Sequence, residues 1–131
     1  GAFVAGLDAG RIYNSWPLMN GQFVPEDYLA GMPFLQAIFE SRAAVQMDHR
    51  WMGYLVALAV FAFAIAIWRE PRVALKPFMI VLPALVIAQI ALGISALLAV
   101  VPLGLSLAHQ AGAILLFTAT LAATWTARRA M

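Results

Sequence analysis

The sequence of 131 residues contains two histidines, His49 in QMDHRWMGYL and His109 in LSLAHQAGAILL. Each stands near the start of an apolar run. Imidazole is a common ligand for transition metals and titrates near neutral pH. Two such rings brought together in an apolar setting can hold one metal centre, pass protons or ions, or form hydrogen bonds at a membrane boundary. Counted back from the tryptophans that close their runs, His49 lies nineteen residues before Trp68 and His109 sixteen before Trp125. If both runs are helices pointing the same way, a rise of about 1.5 Å per residue puts the two rings at depths differing by roughly 5 Å.

Within a helical bundle, heme with a histidine on each face is the centre that suits such a pair best. Zinc suits it poorly. It requires three or four ligands, and the neighbouring candidates Asp48 and Gln110 are each adjacent in sequence to a histidine, hence turned about 100° away on a helix. The absence of cysteine excludes iron–sulfur clusters, thiolate ligation of heme and cysteine-based zinc sites. Gly53 follows His49 by four residues, and Gly112 and Ala113 follow His109 by three and four. Small residues on the same side of each helix leave room for a flat macrocycle, although glycine is also common in membrane helices without any ligand. Arg50 can pair with a heme propionate or reach the headgroups with its charged tip. Met47, Met52 and Met79 are read as packing rather than ligands. Gln89 and Ser95 lie within an apolar run and are expected to hydrogen-bond between helices. The sequence has no Ser-His-Asp or Cys-His set, phosphate-cradling glycine loop or pair of intramembrane carboxylates, so nothing in it supports hydrolysis or phosphoryl transfer.

The elements that must position these residues follow from composition. Hydrophobic residues make up 64% of the chain and charged residues 11%, against roughly 45–50% and 25% in soluble domains. The chain therefore reads as an integral membrane protein of all-α class, a polytopic bundle of transmembrane helices. Trp51 to Trp68 carries no charge and stops at Arg69-Glu70-Pro71-Arg72, which is the pattern of a spanning helix. A second run extends from Pro77 to Val101, with Pro83 placed to kink it. Pro102 and Gly104 mark a turn, and Leu105 to Ala127 forms the last run before Arg128 and Arg129. Three spans are expected, over about 47–68, 77–101 and 105–127, within a histidine-bearing segment 47–131. Residues 1–9, opening on GAFVAGL, read as the last turns of a further spanning helix that begins upstream. Residues 10–46 read as a loop outside the membrane. Phe34, Ile38 and Phe39 share one helical face there, so an amphipathic surface helix is expected over 34–44, with a plain extension of the next span as the alternative. Gly6 and Gly10 form a GxxxG spacing that can mark close packing.

The eight Lys and Arg outnumber the six Asp and Glu. The basic residues gather at span ends rather than in a stripe with interleaved aromatics, which argues against nucleic acid as a partner. Arg69, Arg72 and Lys76 fall in one short loop and Arg128 and Arg129 at the far end of the next hairpin, on one side of the bilayer. The positive-inside rule makes that side cytoplasmic and sets both histidines near the outer face.

Read together, VAGLDAGRIYNSWPLMNGQFVP, FESRAAVQMDHR and GISALLAVVPLGLSLAHQ resemble the C-terminal half of heme A synthase, of the proteobacterial and mitochondrial type. The resemblance covers essentially the whole chain, and the ordered outer-loop, QxxHR and HQ motifs are far more specific than a histidine pair. It implies an eight-helix enzyme of two similar four-helix halves in the bacterial inner membrane, oxidising the heme O methyl group to the formyl group of heme A for cytochrome oxidase. Its C-terminal half would carry heme b, with His49 and His109 as axial iron ligands, Arg50 near a propionate, and Gly53 and Gly112 beside the ring. No catalytic residue is implied in this half. The other half would hold the heme O site and a catalytic glutamate where this chain has Gln46, and the implied partners are that half, heme O synthase, an electron donor and the lipid bilayer. The outer-loop cysteines of some members have no counterpart here. A heme-bearing membrane anchor or b-type electron-transfer subunit would use the same histidines without chemistry on heme, and a proton-relaying transporter would use them without heme.

Overall fold

A computed structural model describes residues 1–129. Ala130 and Met131, which the sequence reading includes in the segment 47–131, lie outside the described residues. The fold is all-α, and no strand occurs among the described residues beyond one isolated bridge between Met19 and Gln22. Five α-helices follow one another: α1 (Ala2–Gly6), α2 (Phe34–Glu40), α3 (Arg42–Trp68), α4 (Lys76–Leu98) and α5 (Leu103–Arg128). Three segments are long and apolar enough to cross a membrane, Arg42–Trp68, Val73–Leu98 and Leu103–Arg128. The chain is an integral membrane protein of all-α class.

Helix α4 packs between α3 and α5. Its Leu82 and Val86 meet Val60 and Ile67 of α3 and Leu116 and Ala123 of α5 in one buried cluster. The outward faces of the bundle remain apolar and exposed, as at Leu58, Phe117 and Trp125. That pattern belongs to a bundle whose solvent is hydrocarbon. Hydrocarbon also obliges polar groups to find partners inside the protein. Along α5, Thr118, Thr120, Thr124 and Thr126 each donate to the carbonyl four residues back at 2.8 Å.

One end of the bundle is closed by cations on helix carbonyls. The Arg72 guanidinium donates to the Ala127 carbonyl at 2.6 Å and pairs with Glu70 at 3.0 Å. Lys76 donates to the carbonyls of Trp68 and Glu70, and Arg129 sits 4.5 Å over the Trp125 ring. Positive side chains there satisfy the last carbonyls of α3 and α5 and complement their dipoles. The contact from Arg72 to Ala127 brings the ends of α3 and α5 to one side, so the two helices run parallel.

The elements depart from the sequence reading at three places, each for a local reason. The helix expected over 34–44 stops at Glu40, because Ser41 is extended (φ −75°, ψ 122°) and its hydroxyl accepts the Ala44 N–H. This cap starts α3 at Arg42, five residues earlier than the expected span, and gives it 27 residues. At about 1.5 Å each that is roughly 40 Å, longer than a hydrocarbon core of about 30 Å. The second span ends at Leu98 rather than Val101, and the turn after it does not use Gly104, which lies inside α5. Instead Val100 and Val101 take left-handed conformations (φ 61° and 59°), with their N–H groups bonded back to Leu97 and Ala96. The third difference concerns Gly6 and Gly10. A Cβ at Gly6 would meet nothing within 4 Å, whereas one at Gly10 would sit 2.9 Å from a Val101 methyl.

The loop between α1 and α2 is built from turns and side-chain bonds. Ser15 accepts the Asn20 N–H and donates to the Leu18 carbonyl, and the Trp16–Pro17 bond is cis. The Tyr13 hydroxyl donates to the Asp27 carboxylate. Tyr28 donates to Asp48 of α3 at 2.9 Å, and Arg42 to the Asp8 carbonyl at 2.9 Å.

Two outcomes follow from this construction. A β-branched residue in the left-handed region stores strain of order 1 kcal/mol, and the Val100 side chain is exposed. Val100→Asn should therefore raise stability by about 1 kcal/mol in thermal unfolding of the detergent-solubilised protein; an unchanged or lowered midpoint would refute the strain. The second outcome concerns Tyr13, whose hydrogen bond to Asp27, reinforced by burial and by the charges of Asp27 and Glu26, pushes its pKa up to about 12. The neutral phenol is the form that donates, so this contact is intact below the ordinary tyrosine range and is lost as pH rises through about 12. Asp27→Asn should move one phenolate absorbance transition back toward the ordinary value.

Candidate heme-binding site

The N-terminal parts of α3 and α5 lie at the end of the bundle away from Arg72, and there the rings of His49 and His109 meet. The imidazole centres of His49 and His109 are 6.3 Å apart, with ring planes at 84°. Neither ring has a protein partner that would account for its position by hydrogen bonding, and Nδ1 of His109 is buried without one. His109 is held instead by shape and by its backbone. Its ring lies against Gly93 of α4, where a Cβ would approach Cε1 to 2.9 Å and Nδ1 to 3.4 Å. Gln89, one turn earlier on the same face of α4, donates to the His109 carbonyl at 2.8 Å. Any larger residue at position 93 must displace the imidazole.

The glycines named from sequence do different work. Gly53 has nothing within contact distance of a notional Cβ, so the α3 surface beside His49 is open. Gly112 is not open: a Cβ there would collide with Oε1 of Gln89 and meet Leu92 at 3.6 Å. Its small size admits the glutamine of α4. Ala113, next along α5, is exposed.

Arg50 is engaged by the outer loop. Its Nη1 donates to the Ser15 carbonyl at 3.0 Å and its Nη2 to the Tyr13 carbonyl at 2.8 Å, leaving Nε buried without a partner. Gln46 joins the same acceptor, with Nε2 at 3.0 Å from the Tyr13 carbonyl. Asn14, between the two loop carbonyls, donates to Gly10 at 2.9 Å and to Leu97, at the end of α4, at 2.8 Å. Asp48 is turned to Tyr28 and Gln110 is exposed, so neither joins the imidazoles. Met79 packs against the core cluster and Met52 is exposed.

Sequence reasoning missed Gly93 and the loop carbonyls. For Gly93 a signal existed, because Gln89 and Gly93 are spaced i, i+4 and so share a helix face. For the carbonyls of Tyr13 and Ser15 none existed, since every residue carries such an acceptor.

The imidazole spacing can be tested against a shared metal. A metal–imidazole bond is about 2.0 Å and a ring nitrogen lies about 1.1 Å from its ring centre, so two rings on opposite faces of one iron have centres roughly 6 Å apart. The separation of 6.3 Å meets that requirement.

Comparison with known proteins places the chain in a family. Residues 1–121 match the model of the COX15-CtaA family, described as cytochrome oxidase assembly protein. The chain is 79% identical over 131 residues to heme A synthase of Maricaulis maris, covering 100% of the chain and 38% of that relative. It is 44% identical over 126 residues to heme A synthase of Nitrosospira multiformis, with 92% of the chain and 34% of the relative covered. Identity to the mouse heme A synthase COX15 is 43% over 125 residues, covering 92% of the chain and 30% of the relative. The chain thus spans about a third of the length of these curated relatives. No solved structure matches. A family match over nearly the whole chain, on a helical membrane bundle that brings two histidines together, means that this protein belongs to the heme A synthase family of cytochrome oxidase assembly proteins.

Proposed function

We propose that the chain is the C-terminal, heme b-binding half of heme A synthase, and that His49 and His109 are the axial ligands of the heme iron. One observation carries the reading: two imidazoles on separate helices have their centres 6.3 Å apart, as one shared iron requires. Heme held between them would serve as a structural or an electron-transferring cofactor for the oxidation of the heme O methyl group, which the reading assigns to the other half of the enzyme. This half contributes no catalytic residue. Its own residues hold the group. Gly53 leaves the α3 side open for the macrocycle, and Gly93 fixes the ring of His109 from behind. Gly112 supports the site indirectly, by admitting Gln89. Arg50 spends two N–H groups on loop carbonyls and retains Nε–H for a propionate. The amide at Gln46 has no carboxylate to offer as a proton acceptor, which suits a cofactor-holding half. The grouping of Arg69, Arg72, Lys76, Arg128 and Arg129 supports a cytoplasmic placement of that end in a bacterial inner membrane, with the histidines toward the outer face. Heme O synthase and an electron donor are the further partners that the reading implies.

The test is a reduced-minus-oxidised visible spectrum of the protein purified in detergent after expression with heme available. A low-spin b-type spectrum is expected, absent from both His49→Ala and His109→Ala. Retention of an unaltered spectrum in either variant would overturn the axial assignment. Gly93→Leu keeps both ligands but unseats His109, and should weaken heme binding about tenfold or more; unchanged binding would show that the Gly93 contact does not seat the ligand.

A further inference from the structure

The Tyr13 carbonyl accepts two hydrogen bonds from one face of α3, from Gln46 and Arg50, and the Ser15 carbonyl accepts a third. We infer that Gln46 and Arg50 are positioning residues for His49, acting by locking the Tyr13–Ser15 segment of the outer loop onto α3. The inference rests on the reading of His49 as a heme ligand and says what holds that ligand in place.

The argument is one of connectivity. Helices α3 and α5 carry the two histidines, yet each packs chiefly on α4. On one side, His109 is fixed to α4 through Gly93 and Gln89. On the other, Asn14 ties the loop segment to the end of α4 through the Leu97 carbonyl. The remaining link, from that segment to α3, is made by Gln46 and Arg50 at positions three before and one after His49. These bonds close a circuit from α3 through the loop to α4 and on to α5. Tyr28 to Asp48 and Arg42 to the Asp8 carbonyl also tie the loop to α3, but only the bonds of Gln46 and Arg50 reach the Tyr13–Ser15 segment that Asn14 joins to α4.

The chemistry of the link also selects the residue type. A carbonyl only accepts, so the nitrogen of the Gln46 amide must face Tyr13. Gln46 is 3% exposed, and its Oε1 is left buried without a partner. Leaving a buried acceptor unpaired is unfavourable, and the fold bears that cost to keep the donor in place. A carboxylate at position 46 would set acceptor against acceptor. The amide is therefore required here by what it donates, independently of any proton chemistry.

The experiment compares the heme-loaded protein with its Gln46→Glu, Arg50→Met and Arg50→Lys variants. Heme iron held by both histidines has no vacant position for carbon monoxide, so CO difference spectra report loosening of His49. Tryptic cleavage after the exposed Arg11 reports release of the loop. Gln46→Glu and Arg50→Met are expected to show a CO-reactive fraction absent from the parent and cleavage faster by roughly tenfold. Arg50→Lys, which keeps a charged donor but not the planar fork that reaches both carbonyls, should fall between the parent and Arg50→Met. Loss of heme from a Gln46→Glu protein of unchanged helicity would report the same dependence more strongly. Parent-like CO reactivity in both disrupting variants would overturn the inference, and so would faster cleavage without it, since the loop would then be anchored but His49 not positioned by it. Failure of the axial assignment itself is separable: it would appear as an unaltered spectrum in His49→Ala or His109→Ala.

Discussion

Two side chains on helices that are not direct packing partners must be brought within one ligand's reach, and this requirement organises the bundle. Helices α3 and α5 run parallel, so the chain must return between them, and α4 is that return. A middle helix ordinarily keeps its neighbours apart by its own width. Here Gly93 lets the His109 ring lie against the α4 backbone, and the two imidazole centres come within 6.3 Å. The hydrogen bond from Gln89 to the His109 carbonyl fixes the height of α5 at the same level. In hydrocarbon such a bond has no water to compete with it, although its measured worth in membrane bundles is commonly below about 1–2 kcal/mol. Its value is in specificity of register rather than in gross stability.

Polar interactions are divided between the ends of the molecule in a consistent way. At the basic end, Arg72 and Lys76 donate to the last carbonyls of α3 and α5, where helix dipoles favour cations. At the histidine end, Gln46 and Arg50 donate to carbonyls of a loop that has no regular secondary structure to satisfy them, and Asn14 of that loop donates to the Leu97 carbonyl of α4. The first set tightens helix ends that would form in any case. The second gives shape to a segment that is otherwise undetermined, and it does so next to the histidines. A strained turn at Val100 and Val101 lies in the same region, where packing against Gly10 holds it.

Legibility in the sequence followed physical range. The three spans were readable because uninterrupted apolar runs of this length have few other fates, and matched depth made a meeting of His49 with His109 possible without fixing the helix rotation that it also needs. The boundaries were less readable, because a single serine cap moved the start of α3 to Arg42 and left α2 as a short separate helix. Gly112 was read as space for a ring on the premise that a small residue beside a histidine faces the same partner as the histidine. The premise fails because α4 has a long polar side chain, Gln89, that needs that space itself. The loop's attachment was not readable at all, since its acceptors are backbone carbonyls and its donors, Gln46 and Arg50, are residue types with many other uses.

The contrast between Gln89 and Gln46 shows how one residue type can serve two kinds of positioning. Both amides donate to a carbonyl, and both leave Oε1 buried and unpartnered. Gln89 joins two spanning helices whose paths are already fixed by an apolar cluster, so its bond selects among neighbouring registers of a stable packing. Gln46 joins a spanning helix to a loop segment with no regular structure, so its bond and those of Arg50 hold Tyr13–Ser15 against α3. The same geometry therefore carries different consequences. Disturbing the first should shift one ring against a rigid background, while disturbing the second should release a segment and, with it, the restraint on α3. That difference in what lies behind each amide, and not the strength of either hydrogen bond, makes the outer end the part of this half-bundle where the position of a ligand is most easily altered.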